Sequence, residues 1–536
     1  MNFKSKFLFS ICSLGMMIGQ EIIPYDVSNQ FAVQINNNQL IWNTDQVFQK
    51  LLIDKSSKNF SNKFTNIAFE KLPEDSTYVK SKFIYEFGDY GFDKLSIGLK
   101  KHSKESSFKF IGMKKSFFGQ YSEFANTDTP PLSLFYKFDY SKNFENNKLY
   151  TSVGYFRENS DFIFDSTTLN ENSVPNNEFS DFISLTLGNS FKKSNYHADI
   201  RLNHISKFDS LVLNEYNINR GYDLDRNRLI AKIHNSNLLH LKIILDNNFF
   251  SYKNTSNGFS RNALTVTNVN NNFSFGNLEY GVDLIEDKVK PNINYKNIFG
   301  NLAVIFETRN QHSMVIMDTY DFNDSEKFLG NDVESWKNLL FTYYFGTKID
   351  LSTSLKYAEA QNFAVPLELS GSVSIPEAEL YEFVNDNMLS LNTNFTIPFE
   401  ESSLKISHSY NFYDSMISSN RTHIINLDYF YGLSFIKDNL KINGKLSLQY
   451  MSKNTSDFSF NYFKNMPERK DIIDSDDYIN ISLNTEISIS DVLLTIRLQN
   501  GLGKLYSNED YSLRNHDLFN PMSSLLTFGI IWEFDD

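Results

Sequence analysis

The chain has 536 residues, with 51 Lys and Arg against 64 Asp and Glu, a formal charge of -13 and 41% hydrophobic residues. No apolar run approaches the ~18–20 residues that a membrane helix needs, and the acidic balance, with a pI near 5.3, excludes a nucleic-acid partner because phosphate binding requires a basic surface. The composition is unusual in holding 50 Phe and 29 Tyr beside 3 Trp and 22 Gly, an aromatic load that an otherwise polar chain must sort at short range.

Residues 1–19 read as a secretory signal peptide. Lys4 and Lys6 supply the positive start, Phe7 to Ile18 a short apolar core and Gly19 a small residue near the cut. The single cysteine, Cys12, falls inside this core, so the exported chain would hold no disulfide and no thiolate metal site. Lipidation of Cys12 is the alternative, and Ile11 opposes it by placing a bulky side chain where a small one is needed. Residues 20–77 are a polar extension with one helical patch, Val47, Phe48, Leu51 and Leu52. They read as an ordinary extension, or else as a reduced plug inside the lumen or a contact for a periplasmic partner.

From residue 78 to 536 the dominant signal has a period of two. Leu95, Ile97 and Leu99 alternate with Ser96, Gly98 and Lys100; Leu351, Thr353 and Leu355 with Ser352, Ser354 and Lys356; Ile442, Leu446 and Leu448 with Asn443, Ser447 and Gln449. In Tyr478 to Ile489 the odd positions are apolar, apart from Thr485, and the even ones polar. Two-faced strands fit a soluble sandwich, whose apolar face meets a core, or an outer-membrane barrel, whose apolar face meets lipid. The joins favour the barrel. Long ones (119–131, 158–178, 208–226, 321–336, 359–386, 452–475, 501–522) alternate with short ones such as Asn143–Asn147, Phe345–Lys348, Pro398–Glu401 and Ile489–Asp491, as expected when short turns face the periplasm and long loops the exterior. The predicted fold is an all-β transmembrane antiparallel β-barrel of about 22 strands, within a range of 16 to 22, both ends being periplasmic. The Asn-rich stretch 260–320 has the least distinct boundaries. Polar positions predicted to face the lumen are His197, Asp199, Arg201, Asp350, Lys356, Lys441, Lys445, Asn480, Asn484 and Glu486. With both signs present, a pore so lined would be wet and weakly charge-selective. A barrel this wide needs a plug or infolded loops, such as 359–386, to narrow it.

The terminal strand sets Leu526, Phe528, Ile530, Trp532 and Phe534 on one face. Together with Asn520-Pro521-Met522 upstream, it resembles the end of TonB-dependent receptor barrels and of related plugless porin-type barrels. A second stretch, Pro366-Leu367-Glu368-Leu369 through Ile375-Pro376-Glu377 to Tyr381-Glu382 and then Phe412-Tyr413-Asp414, is similar to a loop and strand pair of those receptors. The resemblance covers the last third of the chain. It implies that Phe528, Ile530, Trp532 and Phe534 form a C-terminal assembly signal read by the barrel-assembly machinery, although Asp535 and Asp536 follow Phe534. It also implies a periplasmic energy-coupling protein as partner and a plug larger than residues 20–77 can supply.

Chemistry-bearing motifs are sparse. Nine histidines are dispersed, with no HExxH pair and no nucleophile elbow, so the chain is not expected to be an enzyme. A membrane-embedded hydrolase built around His197 or His408 is a minor alternative. Asp474, Asp476 and Asp477 form an acidic cluster that could attract Ca²⁺ but reads more simply as a solvated loop. No cofactor or metal is predicted. The expected role is to move a small solute of unknown identity across the outer membrane, with outer-membrane lipid around the barrel. A non-conducting surface-binding or assembly barrel is the runner-up.

Overall fold

The computed structural model describes residues 77–535 apart from 90, 117–131, 163–175, 194–195, 214–217, 236–240, 253–257, 274–275, 313–332, 347–349, 367–380, 413–421, 436–439, 453, 462–465, 476, 490, 500 and 503–523; upstream it describes 21–22, 34–36 and 39–41. The signal-peptide, Cys12 and Val47–Leu52 expectations lie outside the described residues.

Three short strands, β1 (Glu21–Ile22), β2 (Gln34–Asn36) and β3 (Gln39–Ile41), form a small antiparallel sheet of their own. The wall then runs β4 (Tyr78–Gly88), β5 (Asp93–His102), β6 (Ser106–Ser116), β7 (Leu132–Asn143), β8 (Asn147–Phe162), β9 (Asn176–Lys193), β10 (Tyr196–Leu213) and β11 (Ile218–Asn235). It continues with β12 (Leu241–Tyr252), β13 (Gly258–Phe273), β14 (Gly276–Ile285), β15 (Lys288–Phe299), β16 (Leu302–His312), β17 (Val333–Gly346) and β18 (Asp350–Pro366). β19 (Tyr381–Pro398), β20 (Ser402–Asn411), β21 (His423–Phe435) and β22 (Leu440–Met451) follow. The hairpin β23 (Asn454–Asn461) and β24 (Met466–Ser475) leaves the wall, which resumes with β25 (Tyr478–Ile489), β26 (Val492–Gln499) and β27 (Leu525–Asp535). Each wall strand pairs antiparallel with its neighbours, β22 pairs with β25, and β27 closes on β4 through pairs such as Ile531 with Ile84. The result is a closed barrel of 22 strands whose backbone ladder has no open edge.

Which face goes where decides between the two readings of the alternation. Phe83, Leu187, Ile200, Leu202, Leu446, Phe528, Ile530 and Trp532 are exposed, whereas Glu86, Lys94, Asp199, Arg201, Thr267 and Asp283 are buried. A protein in water does the reverse, because charged groups are rarely buried and broad apolar surface is rarely exposed. The apolar face is therefore the outside of the cylinder. Lipid can cover it, and the polar groups line the interior.

All ten joins on the rim where β4 starts and β27 ends are short, at two to five residues. The opposite rim carries the long joins, but not only long ones: 89–92, 214–217, 253–257 and 286–287 are also brief. The stretch 208–226, expected as a loop, is mostly strand, since β10 runs to Leu213 and β11 starts at Ile218. Once a strand rises above the lipid both faces are wet, so the period-two signal vanishes while the ladder continues. The Asn-rich region 260–320 resolves into β13 to β16 with two-residue turns at Glu286–Asp287 and Gly300–Asn301. Glu286 and Gly300 take the left-handed conformation that such hairpins need, at φ 51° and 59°. Glu286 offsets the strain by accepting the backbone N–H of Asn262 at Oε1, 2.7 Å away.

Candidate functional site

The interior wall carries charged side chains held in separate clusters, most of them ion pairs. Near the closing seam, buried Glu86 on β4 lies against Lys94 on β5 (Nζ to Oε2, 3.6 Å) and receives a hydrogen bond from Arg497 on β26. Arg497 reaches Glu86 across β27 at Gly529, where a Cβ would stand 2.5 Å from Thr495 Oγ1 and 3.0 Å from Glu86 Cγ. Four residues lower on the pair β4 and β27, Lys82 pairs with Glu533.

On β8 to β10, Asp199 accepts hydrogen bonds from Arg201 (Nη2, 2.6 Å) and from the Tyr150 hydroxyl (3.0 Å). The Tyr150 ring lies directly over its cross-strand partner Gly188, a position with no room for a side chain. Further round, Arg228 Nε bonds Asp246 at 2.8 Å and Lys242 pairs with Glu279 at 2.7 Å. Asp283 accepts from Thr265 (2.7 Å), Asn292 (3.0 Å) and Asn310 (2.8 Å). On β21 and β22, Asp428 takes Lys445 at 3.0 Å and Ser447 at 2.6 Å.

The ten positions singled out from sequence fall on four strands. His197, Asp199 and Arg201 lie on β10, Asp350 and Lys356 on β18, Lys441 and Lys445 on β22, and Asn480, Asn484 and Glu486 on β25. Each holds the register parity opposite to exposed neighbours such as Ile200, Leu355, Leu446 and Ile479. The register brings Lys445 opposite Asn484, and Asn484 accepts from Arg497 at 3.3 Å; the β10 and β18 groups stand apart from these. Glu86, Lys94, Arg228, Asp246 and Asp283 were not singled out. The same alternation marks them, but only the completed ring of strands reveals which carboxylate meets which cation.

His197 Nε2 stands 3.1 Å from Ser190 Oγ, but the nearby Asp199 carboxylate is held by Arg201 and Tyr150. His408 is on the outer face, stacked on His423 with ring centroids 5.4 Å apart. Of the acidic cluster, Asp474 lies one residue before the end of β24 and Asp477 precedes β25, Asp476 being outside the described residues. Among the described residues no group of three metal-ligating side chains occurs.

Two interior patches are apolar. Ile84 on β4, Ile111 and Met113 on β6 and Phe135 on β7 have relative exposures of 0%, 1%, 2% and 0%, with Ser96 of the intervening β5 equally buried in the row between Ile84 and Met113. Towards the loop rim, Ala358, Ala360 and Met388 are likewise buried, with Trp336 packed on them. β24 packs against β18. Because β18 is four strands from β22, where the hairpin departs, the hairpin reaches back over that part of the rim.

A closed cylinder of 22 strands, apolar outside and charged inside, is an outer-membrane β-barrel in the size class of outer-membrane transporters. No protein-family model and no curated protein matches the sequence. Solved structures do match. The ferric yersiniabactin uptake receptor FyuA from Yersinia pestis is 8% identical over 87% of this chain and 81% of its own, with a TM-score of 0.61. The FrpB iron transporter from Neisseria meningitidis is 9% identical over 86% and 82%, also at 0.61. P. aeruginosa FpvA, solved with heterologous pyoverdines, is 11% identical over 87% and 72%, at 0.59. The barrel thus has the receptor-type fold that its terminal strand resembles.

Proposed function

We propose that the protein takes up a solute across the outer membrane as a receptor-type barrel whose lumen is closed by its own residues 20–77, rather than as an open porin. The observation that carries this reading is the interior patch of Ile84, Ile111, Met113 and Phe135, which is almost wholly removed from solvent. The lumen of a 22-stranded cylinder is too wide for wall side chains to shield one another across it. In this reading the patch is covered from within. It lies on β4 to β7, beside the point where residues 20–77 join the wall at Tyr78. The receptor-type fold supports solute uptake; the iron and siderophore cargo of the neighbouring structures is theirs, and the solute of this chain is left open. In this reading His197, Asp199, Arg201, Asp350, Lys356, Lys441, Lys445, Asn480, Asn484 and Glu486 form the wet, charge-balanced lining. A periplasmic energy-coupling protein would be needed to move the obstruction.

Planar-bilayer recording tests the proposal. The full exported chain should show no steady conductance, and a variant lacking residues 23–77 should open large ion-permeable channels. A full chain that conducts as an open pore, or a truncated one that stays silent while its barrel remains folded, would overturn it in favour of a porin or a non-conducting surface barrel.

A further inference from the structure

The outer wall should be apolar through the lipid, and Leu, Ile, Val, Phe and Tyr make up most of its exposed face. On β10 to β13 it is not. Leu202 and Leu229 pair across β10 and β11, and the same register row continues through Asn247 on β12 to Asn262 on β13. All four side chains share the outward face, since Leu202 is 53% exposed. Asn247 is six residues beyond Leu241, at the short-turn rim, and six residues along a strand tilted by about 40° climb roughly 15 Å. That height lies inside an apolar band about 25 Å tall. Two carboxamides therefore stand where acyl chains pass, and an amide facing hydrocarbon without partners costs several kcal/mol.

These amides border a groove of about 550 Å³. Leu187, Leu202 and Leu229 form its apolar side, and His204, hydrogen-bonded to Asn227 at 2.9 Å, its upper polar corner. The one formally charged side chain at its edge, Arg228, points to the interior and is occupied by Asp246, so no cation is presented for a phosphate. Asn247 Oδ1 is buried against the wall without a hydrogen-bond partner, and the broad amide torsion lets it turn towards the groove.

We infer that this groove is a binding site for one membrane amphiphile whose acyl chain carries amide or hydroxyl groups. The leucines hold the chain, while Asn247 and Asn262 donate to and accept from those groups, as carboxamides can do both. A plain diacyl phospholipid fills the apolar side equally well but leaves the amides unmatched. The groove is continuous with the lipid-covered surface, so the ligand enters by lateral diffusion.

Native mass spectrometry of the full exported chain, delipidated and then incubated with defined lipids, tests this. The probes are an N-(3-hydroxyacyl) glucosamine lipid and phosphatidylethanolamine of equal chain length. One hydroxyacyl lipid per chain should be retained, about tenfold over the phospholipid for each buried hydrogen bond gained. Asn247→Leu with Asn262→Leu should abolish the preference but keep general lipid uptake, and Leu202→Trp should block both by filling the groove. Leu446→Trp, elsewhere on the outer wall, is the control and should change nothing. The heat-dependent gel shift reports that each barrel is folded; if Leu202→Trp fails to fold, the double leucine variant alone decides. Equal retention of the two lipids, preference for the phospholipid, or an unaltered preference in the leucine variant would overturn the assignment.

Discussion

Replacing Glu86 with Ala should be among the most damaging single changes in the wall. Its carboxylate is 2% exposed and stands between two cations, Lys94 at 3.6 Å and Arg497 on the far side of β27. At 3.6 Å and an effective dielectric near 20, one such pair attracts by about 5 kcal/mol before the cost of desolvation. Without the anion, two cations face each other in a poorly hydrated wall. Breaking a buried pair from one side typically costs about 3–5 kcal/mol. Glu86→Gln keeps the shape and one acceptor, and should lose about 1.5–3 kcal/mol, the worth of hydrogen bonds to charged groups. Urea unfolding of the detergent-solubilised barrel, followed by tryptophan emission and by gel mobility, measures both. In a double-mutant cycle with Arg497→Met, the pair should lose at least about 1 kcal/mol less than the sum of the singles, because removing both partners leaves one buried cation, Lys94, instead of two facing each other. A Glu86→Ala barrel within about 0.5 kcal/mol of the parent, or an additive cycle, would refute the claim that this cluster fastens the closing seam.

Two further outcomes follow from the wall. Gly444 lies beneath the ring of Tyr431, whose hydroxyl meets Thr485 Oγ1 at 3.1 Å, and any Cβ at that glycine would overlap the ring. Gly444→Val should therefore destabilise the barrel by about 1–3 kcal/mol, and adding Tyr431→Ala should restore part of the loss in the same urea titration. Replacing Trp532 and Phe534 together with Ala should reduce the amount of folded, heat-shifting barrel in outer-membrane fractions more than it lowers the unfolding midpoint of the barrel that does assemble. Equal losses in both measurements would mean that these rings serve packing and not assembly.

The wall was legible because its physics is local. Each strand must turn one face to lipid and one to the interior, so Ile479, Ile481 and Leu483 against Asn480, Ser482 and Asn484 disclose both strand and faces without knowledge of any partner. Local signals fail where both faces are wet, as in the upper part of β10 and β11, which reads as a loop. They also fail where a turn rests on backbone conformation, as at Glu286. The pairing of charges lay out of reach for a different reason. Glu86 and Arg497 are separated by nearly the whole barrel in sequence, and only closure of β27 on β4 makes them neighbours. The outer groove was equally hidden, since its polar side chains come one or two at a time from separate strands.

Under the proposed uptake role, the pairing of most interior charges bears on where selectivity would reside. Asp199 with Arg201, Asp246 with Arg228, Glu279 with Lys242 and Asp428 with Lys445 each cancel within a few ångströms, so these pairs add little net field to the lumen. A passing ion would have to break a pair to gain a partner, and the broken pair would oppose it by several kcal/mol. In that reading discrimination would come from groups not already committed to the wall, such as the hairpin β23–β24 that reaches β18. This division of labour also accounts for identities of 8 to 11% alongside TM-scores near 0.6. The alternation needs only residue classes and keeps the cylinder, while parts outside the wall are free to change without disturbing a single strand register.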